Sequence, residues 1–471
     1  MKLAKESIVF KAIQKFGTLT ILILFSGGLS VASFNPLVIF GFLSAALVLI
    51  SAILVWEYLV WKNYDFFFGD DNLNIKHGVI SKKHREIPLS RIQNVDIQRN
   101  IFQRLLGVAQ VDLETAGGNT TEASLKYVYL ETGRAIQRKF RDLEKNLKTD
   151  EEEKRELLFE LEPKELFLLG VTSVNTGMFF GILALLGLGG GFLIDAAESS
   201  GIGLVTGLTV FIFFSAIATW TGSIINNVLK YFDFRLYQVE DSLEYERGLL
   251  KRSEGSIPLE KIQKLTIEEN PLKRLFGYST LKIETAGYSA EQSVQQGAEA
   301  AIPLAKKNRT VEFGKMIQEF ESFELNSIPK RARTRYFGRY SILIGLVLFG
   351  GSIYSRFSSF NHWLILLFLP IAGIAAHYKW KNKAYFAGEN HFVSMNGFWN
   401  RKTMVTPYYR IQNLIETQTF LQRRWNLSSL TLDIAGTNHF QKDAKVSDLD
   451  TEDTNKLREK VFIRFQKAIS R

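Results

Sequence analysis

The sequence of 471 residues contains no cysteine and only six histidines. Without cysteine the chain has no disulfide, no thiolate metal site and no cysteine nucleophile. The histidines are scattered without metal-ligand spacing, and we find no Walker loop, no GxSxG turn and no glycine-rich nucleotide fingerprint. We therefore interpret the protein as non-catalytic, and we predict no catalytic residue, no bound metal and no cofactor.

Six stretches of the chain are apolar and lack acidic and basic residues in their interior. They are Phe16–Phe34, Pro36–Val55, Leu166–Ile194, Ile202–Leu229, Ser341–Ser355 and Phe360–Ala376. About twenty apolar residues in a helix cross a bilayer core. Short connections join the runs in pairs, so we predict six transmembrane helices in three hairpins. The absence of ionisable residues deep in these runs argues against a pump or a coupled transporter.

Lysine and arginine predict the orientation. Lys2, Lys5, Lys11 and Lys15 precede the first run, and Lys330, Arg331, Arg333, Arg335 and Arg339 precede the fifth. An excess of basic residues marks the cytoplasmic side. We expect a multi-pass protein of the cell membrane with both termini in the cytoplasm.

The net charge of +10 suits nucleic acid or an anionic membrane surface. The apolar runs favour the membrane, and we predict no nucleic-acid partner. The competing interpretation, a signal peptide cleaved near Ser30-Val31-Ala32, is weaker because the hairpin recurs twice.

A segment of about forty residues occurs three times without a gap: Gly78–Gly117, Gly248–Gly287 and Gly397–Gly436. The fixed positions are a proline ten residues after the first glycine, a basic-Ile-Gln triplet, an arginine, a Gly or Asn, and Ala-Gly. In the first copy they are Pro88, Arg91-Ile92-Gln93, Arg104, Gly107 and Ala116-Gly117. Such a repeat indicates one structural unit used three times.

Within each copy, period-two alternation predicts antiparallel strands. The proline should start a strand or lie on an edge. A short helix begins after an Asn or Thr cap and ends at Gly or Asn, for example between Asn100 and Gly107. An amphipathic helix closes each unit. The predicted fold is an α+β membrane protein: six transmembrane helices in three hairpins, each followed by a PH-like antiparallel β domain with a C-terminal helix.

The predicted domain order alternates hairpins with PH-like domains. The hairpins cover 1–61, 164–230 and 338–379, and the PH-like domains cover 62–148, 231–325 and 380–471.

The signature Ile87-Pro88, Arg91-Ile92-Gln93, Arg104-Leu105-Leu106-Gly107 and Ala116-Gly117 resembles the bacterial PH domain family of the membrane-flanked type. Three copies behind apolar hairpins are similar to multi-pass members with three repeats. The third copy departs most: Asn426 replaces glycine, Trp425 replaces an aliphatic residue or phenylalanine, and Asp433 replaces glutamate. The resemblance implies the PH-like fold and a membrane location, and it implies no reaction or ligand.

Basic residues before and just after each repeat proline are the candidates for binding an anionic headgroup or a protein partner. They are Lys82, Lys83, Arg85, Arg91, Lys251, Arg252, Lys261, Arg401, Lys402 and Arg410. We place those before the proline in a loop between strands, where each charge near an anionic leaflet contributes ~1 kcal/mol. The competing interpretation is a solvated loop that follows the positive-inside bias.

Two functions follow. The first is a membrane scaffold whose cytoplasmic PH-like domains bind proteins or lipid headgroups. The second is a lipid-handling or export-assisting protein in envelope stress or resistance to membrane-active peptides. Besides the bilayer itself, the expected partners are anionic lipid headgroups, a membrane protein or a second copy of the chain.

Overall fold

The structure is a computed structural model that describes residues 1–25, 36–69, 72–89, 92–115, 123–145, 155–173, 204–285, 300–356, 361–434 and 444–470. The chain divides into two compact units. One contains Met1–Arg155 and Glu244–Ile257, and the other contains Glu156–Leu243 and Pro258–Arg471. Each unit therefore combines parts of two successive repeats.

The first unit contains the first repeat and the third strand of the second. Its elements are α1 (Ser7–Phe25), α2 (Pro36–Lys62), β1 (Asp65–Phe68), β2 (Asn72–His77), β3 (Lys83–Pro88), β4 (Ile92–Asn100), α3 (Ile101–Leu105), β5 (Val108–Thr115), β6 (Ala123–Tyr129) and α4 (Leu130–Lys145), followed after an interval by β10 (Lys251–Pro258). Strands β1, β2 and β3 form one antiparallel sheet in that order, and β6, β5, β4 and β10 are neighbours in another. The apolar side chains of the two sheets pack with Ile136 of α4 into a single core.

The second unit contains the rest of the second repeat and the whole third repeat. Its first part comprises β7 (Arg155–Glu160), α5 (Pro163–Thr172), α6 (Leu204–Tyr231), β8 (Arg235–Val239), β9 (Ser242–Arg247), β11 (Ile262–Glu269), α7 (Pro271–Phe276), β12 (Tyr278–Thr285), β13 (Ala300–Lys306) and α8 (Lys307–Ile317). The division between the units falls at the start of β7 and within β9. Its second part comprises β14 (Asn326–Ser327), α9 (Arg331–Tyr354), α10 (Phe368–Lys381), β15 (Ala384–Ala387), β16 (His391–Asn396), β17 (Arg401–Pro407), β18 (Ile411–Thr417), α11 (Phe420–Arg424), β19 (Leu427–Ile434), β20 (Ala444–Asp450) and α12 (Thr451–Ile469).

Two antiparallel sheets organise the second unit. One has the order β13-β12-β11-β17-β16-β15-β14, and the other has the order β18-β19-β20. Helix α12 contributes Leu457 and Val461 to the core of the third repeat, against Leu430 and Leu432 of β19 and the fully buried Tyr408. The arrangement of small antiparallel sheets with a C-terminal helix is the PH-like plan predicted from the repeat.

The short helix of each repeat is confirmed, together with its caps. Asn100, Asn270 and Thr419 each accept a hydrogen bond from the backbone N–H three residues later. The residues that end the helices, Gly107, Gly277 and Asn426, have φ of +67°, +73° and +51°. This left-handed backbone favours Gly and then Asn. The repeat therefore preserves a backbone conformation even where the residue type changes.

The prediction of six transmembrane helices in three hairpins is wrong. Among the described residues, three helices are long and apolar enough to cross a membrane: Ile212–Tyr231, Arg331–Tyr354 and His362–Lys381. The described part of the first predicted run lies in α1, which also carries Lys11 and Lys15, and the helix at the start of the third run ends at Thr172 after ten residues. Parts of the six predicted runs lie outside the described ranges, namely residues 26–34, 174–194, 202–203 and 360.

The second predicted run lies in α2, whose buried Glu57 pairs with Lys15 of α1 (Nζ to Oε1 2.5 Å). Helices α1 and α2 therefore pack partly through an ion pair, which hydrophobicity alone could not reveal.

The prediction that the repeat proline starts a strand is wrong, although Pro88 does lie on the edge strand β3. Pro88, Pro258 and Pro407 are the last residues of β3, β10 and β17 rather than the first. A short 3₁₀ turn follows in the second and third repeats. A proline lacks the N–H that a ladder needs, and at the end of a strand that loss is tolerated.

Candidate functional site: the seams between repeats

Successive repeats are joined by antiparallel strand pairs, which we call seams. The first seam pairs β10 of the second repeat with β4 of the first, and the second seam pairs β17 of the third repeat with β11 of the second. Both have the same register. In the first seam Arg252 lies opposite Arg99, and in the second Arg401 lies opposite Glu269. In both seams the first residue of the pair is six residues before the repeat proline, and the second is one residue before the cap of the short helix. The repeat thus encodes a joint between domains as well as a domain.

The second seam is held by ion pairs between the two strands. Arg401 donates from Nε to Oε2 of Glu269 at 2.8 Å, and its Nη2 forms an ion pair with the same oxygen at 2.6 Å. The Glu269 side chain is only 4% exposed and also lies 3.5 Å from Lys307. Lys402 lies 3.3 Å from Glu268, which also pairs with Lys282 at 2.5 Å. Burial alone would raise the pKa of Glu268, but the two lysines outweigh it and lower the pKa.

The first seam uses a wider network. Glu254 of β10 lies 3.3 Å from Arg99 of β4, 3.6 Å from Arg134 of α4 and 3.5 Å from Arg252. Arg252 also lies 2.8 Å from Glu246. Burial would raise the pKa of Glu246, but Arg155 and Arg252 outweigh it and lower the pKa.

A buried hydrogen bond completes the first seam. Tyr245 donates to the carboxylate of Asp96 at 2.9 Å, and Asp96 is 1% exposed. Gly255 lies beneath this pair, where a Cβ would be 2.3 Å from Asp96 Oδ1 and 2.4 Å from the Tyr245 hydroxyl. Glycine is therefore required here by space rather than by backbone conformation.

An arginine of the short helix reaches across each seam. Arg104 donates to the carbonyl of Leu249 at 2.9 Å, and Arg274 donates to the carbonyl of Trp399 at 3.3 Å. Both carbonyls lie in the turn that precedes the third strand of the next repeat. These arginines recur at a fixed position of the repeat, and their geometry gives them a connecting role.

The predicted basic residues have several different environments. Those before the proline lie on strands rather than in a loop, except Lys82, which precedes β3; the loop placement was therefore wrong. Arg252, Arg401 and Lys402 belong to the seams. Lys251 lies opposite Asn100 in the first seam, and Lys261 lies in a 3₁₀ turn. Arg410 donates to the carbonyl of Glu260, and Arg91 lies outside the described residues.

The basic residues of the first repeat have a different environment. Lys82, Lys83 and Arg85 are exposed, and among the described residues no strand lies beside the outer edge of β3. These three residues form the predicted binding surface that the seams leave accessible.

Sequence reasoning missed the acidic partners of the seams and a buried polar cluster around Asp448. The cluster joins α9 to the third repeat. Asp448, 2% exposed, accepts from Arg335 and Tyr336 of α9 and from Gln422 of α11 at 2.8 Å. Its positive φ of +68° marks an irregularity in β20 that no local sequence signal indicates. No group of three or more histidine or acidic side chains in the described part of the chain is placed to hold a metal ion.

Comparison with known proteins agrees with this architecture. No solved structure matches the chain. The chain is 24% identical over 438 residues to the UPF0699 transmembrane protein YdbT of Bacillus subtilis (strain 168), a match that covers 86% of this chain and 87% of the relative. The family model described as "Bacterial PH domain" matches residues 22–144, 182–320 and 341–462. The chain is therefore a membrane protein with repeated PH domains, and it belongs to the bacterial PH domain family.

Proposed function

We propose that the protein is a non-catalytic scaffold of the cell membrane, multi-pass, whose PH-like domains bind a protein partner at the cytoplasmic face. The domains of this proposal are the predicted ranges 62–148, 231–325 and 380–471. One observation carries it: the strand that ends in the repeat proline is a joining strand in the second and third repeats, and the same strand in the first repeat has no described strand beside its outer edge.

An open strand edge is chemically suited to a protein partner. Its outward N–H and C=O groups are unpaired, and another strand satisfies them by extending the sheet. On β3 this edge is flanked by the basic side chains Lys82, Lys83 and Arg85, which favour a partner strand with acidic residues. The second seam is an example of such pairing within this chain, because Arg401 and Lys402 of one strand form ion pairs there with Glu269 and Glu268 of the other.

Anionic lipid is the competing ligand of the same basic side chains. A headgroup needs the charges but not the strand edge, since it offers no N–H or C=O row to pair. The seams favour the protein, because they show what this strand binds in two other repeats.

The test uses full-length protein with Lys82→Glu and Lys83→Glu, compared with Lys460→Glu and Lys467→Glu on α12. Both pairs are exposed lysines, and both change the net charge equally. We expect chemical cross-linking in native membranes, followed by purification, to recover a cross-linked protein from wild type and the α12 variant but not from the β3 variant.

Identical recovery from the three proteins would contradict the proposal. A β3 variant that changes only the sedimentation of the reconstituted protein with anionic liposomes would identify lipid as the ligand instead.

A further inference from the structure

Two of the edge strands in the described part of the chain are complementary members of the same joint. Strand β3 is the edge of the sheet β1-β2-β3, and β18 is the edge of the sheet β18-β19-β20. In the first seam the equivalents of β18 and β3 are β4 and β10, and in the second they are β11 and β17. The first repeat therefore has an unused joining strand, and the third repeat has an unused receiving strand.

The helix arginines give independent support. Arg104 and Arg274 each reach a carbonyl in the turn of the next repeat. Arg423 occupies the same position in the third repeat and is exposed, and its guanidinium makes no hydrogen bond or ion pair with the described residues. The corresponding turn of the first repeat, from Gly78 to Ser81, exposes 88% of Ile80. Among the described residues, the Arg423 side chain thus has no carbonyl to bind, and the turn of the first repeat has no arginine bound to it. Together they are the two halves of the contact that Arg104 and Arg274 make at the two seams.

The receiving edge also has an open groove beside it. A cavity of 330 Å³ lies between β18 and α12, lined by Ile411, Leu414, Arg458, Phe462 and Phe465 among others. Apolar side chains such as Phe462, 47% exposed, are accessible there.

The register of the two seams predicts which residues would meet. When the residue six before the proline faces the residue before the helix cap, Lys82 lies opposite Gln418, Lys83 opposite Thr417 and His84 opposite Glu416. Glu416 is the acidic residue of β18, and it is held by Arg458 at 2.8 Å. The basic strand β3 would therefore meet the acidic end of β18.

We propose that β3 of one chain pairs antiparallel with β18 of a second copy, so that a third seam joins two molecules in the way the first two join repeats. This inference rests on the proposed scaffold function and names a second copy as the partner. The contact uses two different surfaces, so it is heterologous and either closes a ring or continues from chain to chain.

The chain has no cysteine, which allows site-directed disulfide cross-linking without a background. Two differently tagged full-length copies are coexpressed, one with Lys83→Cys and the other with Thr417→Cys, or one with His84→Cys and the other with Glu416→Cys. Directly opposite Cα atoms are ~4.5 or 5.5 Å apart in alternate pairs, within the range that a disulfide accepts. The matched control is Glu86→Cys with Thr417→Cys, which lie three residues out of register.

We expect a disulfide-linked dimer carrying both tags from the in-register pairs, and its loss in the control. Thr417→Lys should abolish cross-linking through His84 and Glu416, and Lys83→Glu in the other copy should restore it. Equal cross-linking in and out of register, or none in either pair, would overturn the inference.

A photo-crosslinker at Thr417 separates this failure from that of the proposed function. An adduct with a second copy agrees with the inference. An adduct with a different protein contradicts self-pairing and leaves the scaffold function intact, whereas adducts with lipid alone contradict both.

Discussion

The two seams have the same register but different chemistry. In the second seam the joining strand carries the cations, Arg401 and Lys402, and the receiving strand carries the anions, Glu269 and Glu268. In the first seam Glu254 of the joining strand forms an ion pair with Arg99 of the receiving strand, so the charges are reversed. The position three before the proline is Gly255 in one and Met404 in the other. Backbone pairing therefore defines the joint, and side chains only adapt to it.

The largest expected effect is at Arg401. Arg401→Met leaves the buried Glu269 with only the more distant and half-exposed Lys307. Removing one partner of a buried ion pair costs about 3 kcal/mol. We expect hydrogen exchange of residues 262–269 to become faster by the equivalent of that free energy. Lys456→Met, which breaks an exposed pair with Glu452, is the control and should change nothing.

A somewhat smaller effect is expected at Gly255 in the first seam. Gly255→Ala places a Cβ against Asp96 and Tyr245, and overpacking of this kind costs about 2 kcal/mol. The melting temperature of the detergent-purified protein should fall, and exchange in β4 should increase. Gly338→Ala is the matched control because no atom lies within 4 Å of the added Cβ. An unchanged β4 would mean that the Asp96–Tyr245 contact does not hold the first seam.

Acid should weaken both seams. The pKa values of Glu246 and Glu268 are lowered in the folded protein. Their contribution to stability is therefore complete above the ordinary glutamate pKa of about 4.3 and is lost as the pH falls through the folded value. We expect the loss of stability on acidification below about pH 4.3 to be shallower in Glu268→Gln and Glu246→Gln than in wild type. Equal slopes in all three proteins would contradict the assigned shifts.

The smallest effect is expected for the more exposed ion pair of the second seam. Lys402, 43% exposed, and Glu268 should be coupled by less than about 1 kcal/mol because solvent screens the pair. A double-mutant cycle with Lys402→Met and Glu268→Gln measures this coupling across the second seam. A coupling as large as the effect of Arg401→Met would contradict the ranking.

Much of each domain was predictable because its signals are local. The short helix, its caps and the left-handed residues Gly107, Gly277 and Asn426 follow from nearby residues. The period-two strands and the closing amphipathic helix of each unit were also predicted, and Val108–Thr115 and Thr451–Ile469 are observed examples. The prolines and the basic residues were misplaced because proline is also tolerated at a strand end, and because the length of the third strand depends on a partner from another repeat.

The number of membrane helices was predicted wrongly for a related reason. Apolar runs report composition, whereas the structure ends α5 at Thr172 and pairs Glu57 of α2 with Lys15 of α1. In this chain a hydrophobic run predicts a membrane helix less well than a repeated capping residue predicts the short helix that follows it.

The sequence by itself determined the repeat, its turns and its family, because these depend on backbone conformations that a few residues impose. Only the tertiary structure decided that successive repeats join edge to edge, that Arg252, Arg401 and Lys402 are used in doing so, and that no described strand lies beyond β3 or β18. Strand pairing is a contact between residues such as Arg401 and Glu269, separated by more than a hundred positions, and no local pattern encodes its partner.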